Sequence, residues 1–88
     1  MTQTVLQQRL QQAFQPEILE IADESHLHAG HAGNRGGGHY RLLIVSSAFN
    51  GLSRLARQRA VQEVLQDLYA EKIHALSILA KTPAEYRT

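Results

Sequence analysis

HYRLLIVSSAFNGLSRLARQR, residues 39–59, is the stretch that decides the fold. Its first part alternates, with Tyr40, Leu42 and Ile44 on one side and Arg41, Leu43 and Val45 on the other. That is the period of two a β-strand imposes on its side chains. Ser46 and Ser47 then break the apolar run, Gly51 is free to take the positive φ of a turn, and Ser53 or Asn50 can cap a helix. From Leu52 onward the period changes. Leu52, Leu55, Ala56, Ala60, Val61, Val64, Leu65 and Leu68 recur at helical spacing. This predicts one helix, or a short one leading into a longer one, over 53–70.

Working outward, Leu6, Leu10 and Phe14, with Val5 and Ala13 beside them, predict a helix over 3–14 that Pro16 closes. Residues 17–23 suit a half-buried strand, with Leu19 and Ile21 on one face and Ile18, Glu20 and Ala22 on a wetter one. IHALSILA, residues 73–80, predicts a third strand in which Ile73, Ala75, Ser77 and Leu79 oppose His74, Leu76, Ile78 and Ala80, and Pro83 ends it. The first two strands can pair antiparallel, and the helix before the third fits a right-handed crossover that makes the last two parallel. The expected fold is α+β: a single αββαβ domain over 1–88, with a three-stranded mixed sheet and helices packed on one face. The other face stays open to a partner.

Composition narrows the function. The 88 residues make one small domain, 43% hydrophobic, with no run of about 18 apolar residues that could cross a bilayer. No secretory signal opens the sequence as given, so the cytoplasm is the default expectation and no membrane partner is expected. The absence of cysteine removes disulfides, thiol catalysis and thiolate ligands together. A formal charge of +1 is far from the basic balance of a domain that lives on phosphate contacts.

The chemistry concentrates in DESHLHAGHAGNRGGGHY, residues 23–40, which holds four of the five histidines: His26, His28, His31 and His39. The segment is far longer than a common hairpin loop, and its glycines make 25–38 an expected mobile loop. His28 and His31 can be aimed at one ion, and parallel pairing would bring His39 and His74 to the same end of the sheet. Spacing alone favours solvated loop residues plus one strand-terminal histidine, and no H-E-x-x-H is present. No enzyme is expected. Ser25, Ser46 and Ser47 are available as nucleophiles, but Ser46 and Ser47 lack a G-x-S-x-G turn, and the adjacent carboxylates Asp23 and Glu24 diverge in an extended chain. No Walker or dinucleotide glycine pattern occurs, and the G-x-x-G of Gly33–Gly36 joins strands where a KH loop joins helices. Arg54, Arg57 and Arg59 are the best nucleic-acid candidates, yet one helical face holds only two of them and no aromatic is interleaved.

DESHLHAGH at 23–31, HYRLLIVSSAFNGLSRLARQR at 39–59 and IHALSILAKTPAEY at 73–86 together resemble the BolA family over most of the chain. The resemblance implies a class II KH-like fold with an extra helical turn before the second main helix, and structural roles for Phe49 and Gly51 in F-x-G. It also implies a monothiol glutaredoxin of the CGFS type as partner, with which the domain shares a [2Fe-2S] cluster in iron-sulfur delivery or iron sensing. Lacking thiolates, this chain would hold no cluster alone, and the glutaredoxin with glutathione would complete the coordination. The implied ligands are His74, in I-H-A-L, and a loop histidine, His28 or His31, with His26 and His39 secondary. Some bacterial members act as transcriptional regulators of cell shape and stress responses, which implies promoter DNA as the alternative partner of Arg54, Arg57 and Arg59. The free form is expected to be a monomer or weak dimer. Gln58 departs from the family, which has histidine between two arginines, so a role carried by a histidine there does not transfer. Tyr86 stands where tryptophan is common.

Overall fold

The chain begins with a helix because Leu6 and Leu10, four residues apart, both fall on the face that turns inward, where each is essentially fully buried. The computed structural model describes residues 2–25, 38–70 and 72–88. Helix α1 runs Thr2–Phe14, strand β1 Ile18–Asp23 and strand β2 Gly38–Val45, followed by a single 3₁₀ turn at Ser47–Phe49. Helix α2 spans Arg54–Val64, a second 3₁₀ turn Gln66–Leu68, strand β3 Ile73–Lys81 and helix α3 Pro83–Arg87. None of these helices is long and apolar enough to cross a membrane.

The sheet order is β1-β2-β3, so β2 is central, which matches its near-continuous apolar run. β1 pairs antiparallel with β2 from Ile18 opposite Val45 to Asp23 opposite Tyr40, and β2 pairs parallel with β3, as expected. Tyr40, Leu42 and Ile44 point to the helical side, where they meet Leu6 and Leu10 of α1, Val61 of α2 and Leu65 in one core. Deleting such a side chain to alanine typically costs about 2–5 kcal/mol. Phe49 is fully buried with its ring centroid 5.1 Å from that of Phe14, and Gly51 takes a φ of +80° in the turn before α2.

Three expectations need correction. Helix α2 ends at Val64, because Leu65 leaves helical geometry and a 3₁₀ turn follows. Leu52 and Leu55 lie outside the core, 37% and 59% exposed. Ser53 caps α2 by accepting from the Ala56 N–H, so Leu52 precedes the helix, and Leu55 stands about 200° around it from the inward residue of the first turn, Arg57. Third, Pro83 does more than end β3. It occupies the first turn of α3, where Thr82 accepts from the Glu85 N–H and the Glu85 carboxylate accepts from the Thr82 N–H, a complete capping box.

Candidate functional site

The alternation of β3 fails at its start, and the failure places His74. Leu76, Ile78 and Ala80 turn toward the core, so strict period two would send His74 inward with them and leave Ile73 outside. Instead Ile73 is 2% exposed and His74 is exposed. A bulge exchanges them: Gly38 lies opposite Ile73 and His39 opposite Ala75, leaving His74 as the extra residue with no cross-strand partner. Bulges re-aim side chains in this way and collect beside functional sites. The expected grouping of His74 with Leu76, Ile78 and Ala80 is therefore overturned. The signal was legible in the mismatch between Ile73 and the later apolar residues.

The re-aimed His74 meets His39, with ring centroids 4.9 Å apart and planes tilted by 45°. His39 is half-buried and, like Arg41, belongs to the sheet face away from Tyr40, Leu42 and Ile44. Its backbone is fixed on both sides: its N–H donates to the Ser25 hydroxyl at 3.0 Å and its carbonyl accepts from the Glu24 N–H at 2.7 Å. The Ser25 N–H in turn donates to Asp23 at 2.9 Å, and Glu24 pairs with Arg41 at 3.2 Å. Ser25, weighed above only as a nucleophile, thus ties the end of β1 to the start of β2 beside the histidine pair.

His26, His28 and His31 lie outside the described residues, as does most of the loop expected to be mobile. Among the described residues no three His, Cys, Asp or Glu side chains are grouped to hold a metal ion, so His39 and His74 are at most part of a donor set.

Gly38 builds this corner too. A Cβ there would stand 2.6 Å from Cζ and Oη of Tyr40, so only glycine lets the buried tyrosine ring fold back over the strand. The Gly38 N–H donates to the Lys72 carbonyl at 3.1 Å, just before the bulge.

The nucleic-acid candidates separate. Arg54 and Arg59 are exposed, but Arg57 is buried, a position sequence reasoning did not foresee. Its guanidinium donates to the carbonyls of Leu52 at 3.0 Å and Ala80 at 3.2 Å, and forks onto both Glu85 oxygens at 2.6 and 3.2 Å. Neighbouring Gln58 donates to the Ile78 carbonyl at 2.7 Å. Arg57 and Gln58 therefore join α2 to β3, and Arg57 also holds α3. Hydrogen bonding from Arg57 and then from the Thr82 backbone lowers the Glu85 carboxyl to about 2.

Comparison with known proteins agrees with this architecture. A family model described as BolA-like protein matches residues 10–85. BolA-like protein 1 of Mus musculus is 45% identical over 85 residues, covering 97% of this chain and 61% of the mouse protein, so the chain spans about three fifths of that relative. The DNA-binding transcriptional regulator BolA of Haemophilus influenzae is 33% identical over 97% of this chain and 81% of its own length. Among solved structures, the BolA domain of SufE1 from Arabidopsis thaliana superposes with a TM-score of 0.83 at 43% identity, over 93% of this chain and 92% of that one. With the motifs, the sheet order and these matches in agreement, the chain belongs to the BolA-like family.

Proposed function

We propose that this domain is a non-enzymatic adaptor that binds a monothiol glutaredoxin and shares a [2Fe-2S] cluster with it, in iron-sulfur delivery or iron sensing. The observation that carries the reading is His74, exposed on a bulge at the sheet end where the histidine-bearing segment leaves Ser25 and returns to Gly38. His74 is the fixed ligand, and His28 or His31 the second, drawn from that segment. The donor chemistry fits half a site: imidazoles replace thiolates on one iron in known clusters, whereas a chain without cysteine needs a partner's thiolate and glutathione for the other. When bound, the cluster supplies the iron and sulfide that the adaptor conveys. The chain's own part is to present the His74 imidazole at the start of β3 and, among the described residues, to offer the sheet face that carries the exposed Arg41 to the partner.

Titration of the apo protein with glutaredoxin, glutathione, iron and sulfide tests this. A mixed complex should form, with visible absorption distinct from that of the glutaredoxin homodimer and lost in His74→Ala. An unchanged spectrum in that variant would overturn the reading. Parallel titrations of His28→Ala and His31→Ala identify the second ligand.

A second reading follows from the exposed Arg54 and Arg59 on α2, together with the name of the Haemophilus relative: regulation through DNA contact. Two exposed cations on a domain of charge +1 support only weak phosphate binding, so the adaptor reading is preferred.

A further inference from the structure

We propose that His39 is a positioning residue for His74: its ring acts as a wall that fixes the His74 imidazole in the orientation used for ligation, without binding iron itself. The proposal rests on the adaptor reading above, whose ligand set is His74 with His28 or His31 and leaves His39 touching a ligand from outside the set. His74 needs such a wall. It is exposed, and as the extra residue of a bulge it has no cross-strand partner, so the backbone alone leaves its staggered side-chain conformations open. His39 is suited to supply one. It is half-buried, its backbone is pinned by Ser25 and Glu24, and its ring lies at a centroid distance of 4.9 Å, within the range of packed aromatic pairs. Hydrogen-bonded groups that orient a metal ligand are worth roughly 10–100-fold in metal affinity, and the low end of that range is the expectation for a packed ring that orients by contact alone.

Two substitutions separate a wall from a ligand. His39→Ala removes the ring; His39→Phe keeps a ring and removes both nitrogens. In the apo protein, NMR of the His74 ring protons should show the ring-current shift of a packed neighbour in wild type and His39→Phe, and its loss in His39→Ala. In the titration with glutaredoxin, glutathione, iron and sulfide, His39→Ala should weaken the mixed complex roughly tenfold, and His39→Phe should restore it. A mixed complex unaffected by His39→Ala overturns the proposal. Equal loss in His39→Ala and His39→Phe also overturns it, because His39 is then a ligand. If His74→Ala leaves the complex intact, the adaptor reading falls and takes this inference with it. If His74→Ala abolishes the complex while the His39 variants do not disturb it, only the inference falls.

Discussion

Arg57 and Glu85, 28 residues apart, form a two-pronged ion pair in which the arginine is buried and the carboxylate half-exposed. The pair fastens the short C-terminal helix to the start of α2. The same guanidinium occupies the carbonyls of Leu52 and Ala80, so Arg57→Met should strand buried acceptors and destabilise the domain by about 1–3 kcal/mol. Urea denaturation would measure this as a lower midpoint.

The pair also sets an acid dependence. Glu85 is lowered in the folded protein from its ordinary 4.5 to about 2, chiefly by the Arg57 hydrogen bonds. A depressed carboxyl stabilises the fold fully above its unfolded value and loses that contribution as pH falls from there through the folded one. The stability advantage of wild type over Glu85→Gln should therefore be present at pH 6, shrink below pH 4.5 and vanish near pH 2. Solvent at the half-exposed carboxylate keeps the advantage modest. Paired denaturation curves across this range check it, and a constant difference would show that the ion pair does not carry it.

At Gly38 the expected effect is local and steric. Gly38→Ala places a methyl group against the buried Tyr40 ring, which must leave its position over the strand. Overpacking of this kind costs about 1–3 kcal/mol. Because Gly38 lies opposite Ile73 at the bulge, the His39 and His74 ring signals should move as well. An NMR spectrum changed only around Tyr40 would mean that the bulge is held independently of this contact.

Gln15 follows α1 with φ +44°, a left-handed conformation that L-residues adopt at a cost, while its N–H still bonds the Gln11 carbonyl at 3.0 Å. Glycine is the usual residue at such a helix end. Gln15→Gly should raise stability by roughly 1 kcal/mol, less the backbone entropy glycine adds to the unfolded chain. Thermal unfolding would register it as a small increase in Tm.

These sites mark how far the sequence could be read. Periodicity announced α1 and all three strands, since Leu6 and Leu10, or Tyr40, Leu42 and Ile44, repeat at the spacing their elements impose, and the connections between the strands announced their pairing. It failed where an apolar position is filled by something else. Arg57 occupies the inward turn of α2, and only its hydrogen bonds to distant carbonyls and to Glu85 make burial tolerable; no local pattern reveals such partners. Helix α3 was written locally, in the capping box of Thr82, Pro83 and Glu85, but five residues are too few for an apolar period to appear. Of the candidate site, the meeting of His74 and His39 at one end of the sheet followed from parallel pairing. The bulge that turns His74 outward depends on the register between two strands, which a single strand does not record.

The burial of Arg57 yields a last expectation, for DNA. With its guanidinium committed to Glu85 and two carbonyls, Arg57 is not free to neutralise a phosphate, and α2 offers Arg54 and Arg59. Each neutralised phosphate contributes about −0.9 to the slope of log K against log salt, so two contacts predict a slope of about −2. Arg54→Ala and Arg59→Ala should each reduce its magnitude by about 1. Arg57→Met should leave the slope unchanged while lowering the unfolding midpoint. Fluorescence anisotropy with a labelled duplex at several salt concentrations measures all of this. A slope much steeper than −2 that falls on loss of Arg57 would mean that α3 swings away and frees the buried guanidinium for DNA.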